Sequence, residues 1–93
     1  MTAARWRVLA VREGPAWSAQ LLEHDLAAQG DTLPEALASL ARTVAGQAEL
    51  GPLVDIAPAP AEDAARWETG DSWGELDLGS GVAAVRWCSD KKG

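Results

Sequence analysis

The chain of 93 residues has no tyrosine and no phenylalanine, and only one cysteine, one histidine and one methionine. A single cysteine, Cys88, rules out an internal disulfide and points to a reducing compartment, so a cytoplasmic location is expected. One histidine and one cysteine are too few to close a structural zinc site, and no metal is expected. No apolar run approaches the roughly 20 residues of a membrane span. The opening Met1-Thr2-Ala3-Ala4-Arg5-Trp6-Arg7 lacks the apolar stretch and cleavage site of a signal peptide. Basic residues are also scarce, with 8 Lys and Arg against 14 Asp and Glu and a formal net charge of −6. Binding to nucleic acid needs a basic face that displaces counterions from phosphates. Arg5, Arg7 and Arg12 near the first strand make a weak footprint of that kind. Acidity suits an encounter with a basic protein, and it equally serves to keep a small chain soluble.

What is present describes a globular chain. Hydrophobic residues make up 47% and charged residues 24%, a balance that can fill a core. The length allows one domain. The clearest local signal is Gln29-Gly30-Asp31-Thr32-Leu33-Pro34-Glu35-Ala36-Leu37. Gly30 and Asp31 supply turn chemistry. Thr32 stands at an N-cap with Glu35 three residues on, so the Thr hydroxyl should accept from the Glu35 N–H while the Glu35 carboxylate takes the Thr32 N–H. Pro34 falls in the first turn, where a missing N–H costs nothing.

That stretch resembles the HicB-like domain, the antitoxin half of bacterial HicA–HicB toxin–antitoxin pairs. Ala16-Trp17-Ser18-Ala19-Gln20 resembles the family's second strand. Leu22-Glu23-His24-Asp25 is similar to a HicB-like subgroup, as are Arg42-Thr43-Val44-Ala45-Gly46-Gln47 and Pro58-Ala59-Pro60 with Trp67. The likeness runs from Trp6 to Trp67. It implies an α+β fold with an antiparallel sheet, a β-β-β-α core of degenerate ribonuclease H-like form.

The residues read the same way in order. Trp6-Arg7-Val8-Leu9-Ala10-Val11-Arg12 is a strand apolar on both faces, with Val8 and Ala10 on one and Leu9 and Val11 on the other. Glu13-Gly14-Pro15-Ala16 turns into a second strand, on which Trp17, Ala19 and Leu21 alternate with Ser18, Gln20 and Leu22. Composition leaves Glu23 to Gln29 as a short strand or a loop, and the resemblance implies a third antiparallel strand. Leu33, Leu37, Leu40, Ala41, Val44 and Ala48 form one stripe of a helix that Gly51-Pro52 ends. Leu53-Val54-Asp55-Ile56 is a short strand or an apolar clasp. Ala57 to Ala61 is a stiff connector, and Glu62 to Trp67 a short helix. Trp73 to Leu78 and Val82 to Cys88, joined by Gly79-Ser80-Gly81, form a C-terminal hairpin, and Ser89 to Gly93 should fray. The domain thus spans residues 1–93, with a core at 5–50, a connector at 51–61, and a short helix and hairpin at 62–88.

Chemistry is sparse. His24 lies between Glu23 and Asp25, but neighbours on a strand point to opposite faces, so the three cannot form one site. Cys88 reads as a small buried hydrophobe. Gly79-Ser80-Gly81 precedes a strand, not a helix, and does not match a phosphate loop. Asp25, Asp31 and Asp55 have no spacing that gathers a two-metal set. No catalytic residue and no cofactor is expected. The five tryptophans either fill a core otherwise built from Ala, Val and Leu, or anchor an interface.

The leading expectation is a non-catalytic protein-binding module resembling a HicB-type antitoxin that masks a small basic HicA-like ribonuclease toxin. Gln29, Gly30, Asp31, Thr32 and Glu35 form its structural motif, and Trp17, His24, Trp67 and Trp73 are candidate partner contacts. No ribbon-helix-helix segment is visible, so direct DNA binding is not expected. The alternative is a stand-alone, self-associating HicB-like regulatory protein, a homo-oligomer of dimer size or larger.

Overall fold

Apolar residues on both faces of the first strand demand cover on both sides, and that demand organises the architecture. A computed structural model describes residues 6–79 and 81–89. Among them the order is β1 (Trp6–Glu13), β2 (Ala16–Leu21), β3 (Leu26–Gly30), α1 (Leu33–Leu50), a 3-10 turn (Leu53–Asp55), α2 (Ala61–Thr69), β4 (Asp71–Asp77) and β5 (Val82–Ser89). The fold is α+β, a five-stranded mixed sheet in the order β3-β2-β1-β5-β4 with two α-helices.

The meander of β1, β2 and β3 is antiparallel, pairing Ala10 with Ala19 and Ala19 in turn with Ala28. Gly14, at φ 63°, takes the first position of the two-residue turn between β1 and β2. Pro15, with its fixed negative φ, suits the second, as a type II′ hairpin requires. The sheet is not wholly antiparallel as expected, because β5 lies parallel to β1, with Val8 beside Val85 and Ala10 beside Trp87. Val8, Leu9, Ala10 and Val11 are all buried, and a strand covered on both faces belongs in the middle of a sheet. β5 fills the open side of β1, so the C-terminal hairpin extends the main sheet.

The segment Leu22 to Asp25 is a turn, and the third strand starts only at Leu26. The connector holds that turn. Asp25 N–H donates to the Ala57 carbonyl at 2.8 Å, and Ala59 N–H to the Leu22 carbonyl at 2.8 Å. Leu53 to Asp55 is not a strand but a single 3-10 turn, and Leu53 packs from it on the core as an apolar clasp would. Ser89 belongs to β5, and the expected fraying beyond it lies outside the described residues, as does Ser80 of the hairpin turn.

Each face of the sheet has its own cluster. Val8, Ala19, Leu21, Ala83 and Val85 meet Ala36, Leu37, Leu40 and Val44 of α1 on one face. These four helix residues follow the spacing that put an apolar stripe on α1. Leu9, Val11 and Leu22 form a smaller cluster on the other face, completed by Ala59, Trp67 and Cys88. That second cluster explains α2, a short helix whose contacts fall on β1 and β5. No helix among the described residues is long and apolar enough to cross a membrane.

Candidate functional site

The turn into α1 is built as its residues dictate. Thr32 is extended, at φ −130° and ψ 164°, and its hydroxyl accepts from the Glu35 N–H at 3.2 Å. The Glu35 carboxylate takes the Asp31 N–H at 3.2 Å, one residue earlier than the Thr32 N–H expected of a capping box. Gly30 carries a stricter demand. A Cβ there would lie 2.5 Å from the Ala36 nitrogen and 2.8 Å from the Glu35 carbonyl carbon, so the helix start rests directly on this α-carbon. Gln29 is exposed on β3. An open hollow of about 410 Å³ lies beside the turn, lined by Gly30, Asp31, Glu35, Ala38, Ser39 and Arg42. Its charged groups are of both signs, and Arg42 already donates to the Ser39 hydroxyl at 3.1 Å.

The aromatic candidates fall in different environments. Trp17 is half-buried on the α1 face, edge-on to Trp87 with ring centres 5.9 Å apart. His24 lies in the turn between β2 and β3. Its Nδ1 is 3.1 Å from the Ile56 carbonyl, which can only accept, so Nδ1 carries the proton and donates. The ring also stands edge-on to Trp6 at 5.8 Å. Trp67 packs into the second cluster, with the Arg86 guanidinium 4.2 Å and the Arg7 guanidinium 5.7 Å from its ring centre. All three rings are therefore engaged within the chain.

Trp73 differs. It is 44% exposed and sits on β4, the outer strand beyond β5. The pairing register with β5 shifts between Ser72 and Gly74, which places Trp73 at a β-bulge, and Gly74 there has φ 146°. Bulges re-aim side chains at sheet edges. All of β4 except Leu76 is exposed, and it carries Asp71, Glu75 and Asp77 without a single Lys or Arg. The arrangement is an exposed indole on an acidic edge strand. It offers recognition chemistry: an aromatic anchor and carboxylates for a cationic partner.

Sequence reasoning did not reach the polar clamp on the opposite face. Glu23 accepts from the Arg7 backbone N–H at 2.7 Å and from Arg7 Nε at 2.6 Å. Arg86 Nη1 donates to the carbonyls of Trp67 and Glu68 at 3.2 and 3.0 Å. Arg7 and Arg12, five positions apart on one strand, face opposite sides of the sheet and do not form a basic patch. Arg5 lies outside the described residues. Cys88 is half-buried, its Sγ 3.8 Å from an Arg66 nitrogen. Asp25, Asp31 and Asp55 are not gathered, since among the described residues no three His, Cys, Asp or Glu side chains come together. No family model, no curated protein and no solved structure matches the chain.

Proposed function

We propose that the chain is a non-catalytic protein-binding module of HicB-like type, which masks a small basic protein as an antitoxin masks its ribonuclease toxin. The observation that carries this reading is the β4 edge, where Trp73 stands exposed among Asp71, Glu75 and Asp77. A basic partner would be steered to this strand by charge and held there by the indole. The acidic balance of the whole chain, at −6, favours the same encounter. Support for a HicB-like, degenerate ribonuclease H-like core comes from the β-β-β-α order and from the Gly30-Asp31-Thr32 turn that launches α1 over the meander.

The test is a pull-down from the native host with mass spectrometry, followed by a ribonuclease assay on whatever is retained. The expected result is a stoichiometric small basic protein, released by high salt, whose RNA cleavage this chain suppresses. A triple variant, Asp71→Asn with Glu75→Gln and Asp77→Asn, should lose the capture. Recovery of the chain without a basic companion would sink the reading.

A further inference from the structure

The two edges of the sheet are built in opposite ways. β4 carries three carboxylates and a bulge, devices that blunt an edge against another strand. β3 carries none. Its five residues, Leu26-Ala27-Ala28-Gln29-Gly30, include no charge and no proline. Its ladder with β2 runs from Trp17–Gly30 to Leu21–Leu26 without a shift. The outer side of β3 is therefore a straight, uncharged strand edge with small side chains, which is the kind that pairs with another strand.

We infer that β3 pairs with β3 of a second copy across a two-fold axis, joining two five-stranded sheets into one. An axis through Ala28 is self-complementary. It sets Leu26 opposite Gly30 of the other copy and Ala27 opposite Gln29, so the paired strands themselves carry no charge, and the carboxylates of Asp25 and Asp31 meet only beyond their ends. β4 cannot serve as well, since pairing two copies there would crowd carboxylates of Asp71, Glu75 and Asp77 against their equivalents.

The helix above β3 independently favours a second copy. α1 packs mainly on β3 and β2 and starts where Gly30 meets Glu35 and Ala36. Ala28 lies about 7 Å back along the strand, or about four to five residues of helix, which brings the axis near Leu40. The two α1 helices then run antiparallel, and Glu35 of one copy comes within about one helical turn of Arg42 of the other. Both residues are exposed, and among the described residues the one ion pair is Arg7–Glu23, so Arg42 has no carboxylate of its own. The pairing matches opposite charges twice, once on each side of the axis. This interface leaves β4 free and does not depend on the antitoxin reading.

Light scattering on the purified chain tests it, with Ala27→Lys/Gln29→Lys as the edge variant. Both positions are exposed, so the fold should survive, as circular dichroism will show, while lysines from the two copies face each other. The expected mass is twice 9.7 kDa for the native chain, falling to one copy in the edge variant. Arg42→Glu, which leaves the strand untouched, should weaken the dimer, and Trp73→Ala should leave it unchanged. A native chain that stays at one copy, or a dimer that the folded edge variant retains, or one that Trp73→Ala breaks, would overturn the inference.

Discussion

The guanidinium of Arg86 lies 4.2 Å from the centre of the Trp67 ring, and the same side chain donates to the carbonyls of Trp67 and Glu68. One residue of β5 thus holds both the face of the indole and the last turn of α2. α2 has no fully buried residue, and Trp67 supplies the aromatic contact through which it meets Leu9, Val11 and Leu22. Trp67, with Arg86 over its face and Arg7 beyond it, is the aromatic point at which the helix is attached.

Truncation at that point should therefore release α2 while leaving the α1 face intact. Trp67→Ala is expected to cost about 3 kcal/mol, the low end for a tryptophan because the ring is only half-buried. Arg86→Ala should cost about 1–2 kcal/mol, from a lost cation–π contact and lost hydrogen bonds. Trp67→Phe should be milder than Trp67→Ala. It keeps an aromatic face for Arg86 and removes an indole N–H that is buried without a partner among the described residues. Urea unfolding gives all three free energies, and amide hydrogen exchange shows whether protection falls first in α2. Equal losses across α1 and α2 would refute a local attachment.

Gly30 offers a sharper case, because backbone and not a flexible side chain occupies the space. Gly30→Ala would place its Cβ 2.5 Å from the Ala36 nitrogen, well inside contact distance. The start of α1 must then shift away from β3. Overpacking of this kind costs about 1–3 kcal/mol, which for a chain this small lowers the melting temperature by roughly 4–8 °C per kcal/mol. Gly46→Ala is the matched control. It sits within α1 with nothing within 4 Å of its Cβ, so it should stabilise by up to about 1 kcal/mol. Opposite signs in thermal melts are the expected outcome, and a neutral Gly30→Ala would mean that the helix start is not pinned.

What could be read from the sequence follows the range of each interaction. The cap at Thr32, the stripe of Leu37, Leu40 and Val44, and the two faces of β1 depend on neighbours three or four positions away, or on simple alternation. They were legible for that reason. The parallel pairing of β1 with β5 joins Val8 to Val85, and no local signal encodes it, although burial on both faces of β1 required a second neighbour. The turn at Leu22 to Asp25 was obscured because its partners, Ala57 and Ala59, come from a distant connector. Glu23 and Arg7 are 16 residues apart, and only the hairpin register brings them together. Trp73 was legible as a candidate contact from its place beside Gly74. The bulge at which it sits is a property of the ladder and not of the residues alone.

The capping arrangement gives a last test, because its two hydrogen bonds differ in the donors they satisfy. The Thr32 hydroxyl takes the Glu35 N–H, a donor within the first turn that has no helical acceptor. The Glu35 carboxylate takes the Asp31 N–H, which lies before the cap, and the bond is exposed. Thr32→Ala should therefore cost about 1 kcal/mol, and Thr32→Ser or Thr32→Asp should retain most of it. Glu35→Ala should cost less, a few tenths of a kcal/mol, since water can replace an acceptor at an exposed N–H. Because both bonds fix the same turn, the double variant should lose less than the sum of the singles. Urea titrations of the four proteins measure that coupling. Strict additivity would show that the two bonds act separately and that Thr32 alone sets the start of α1.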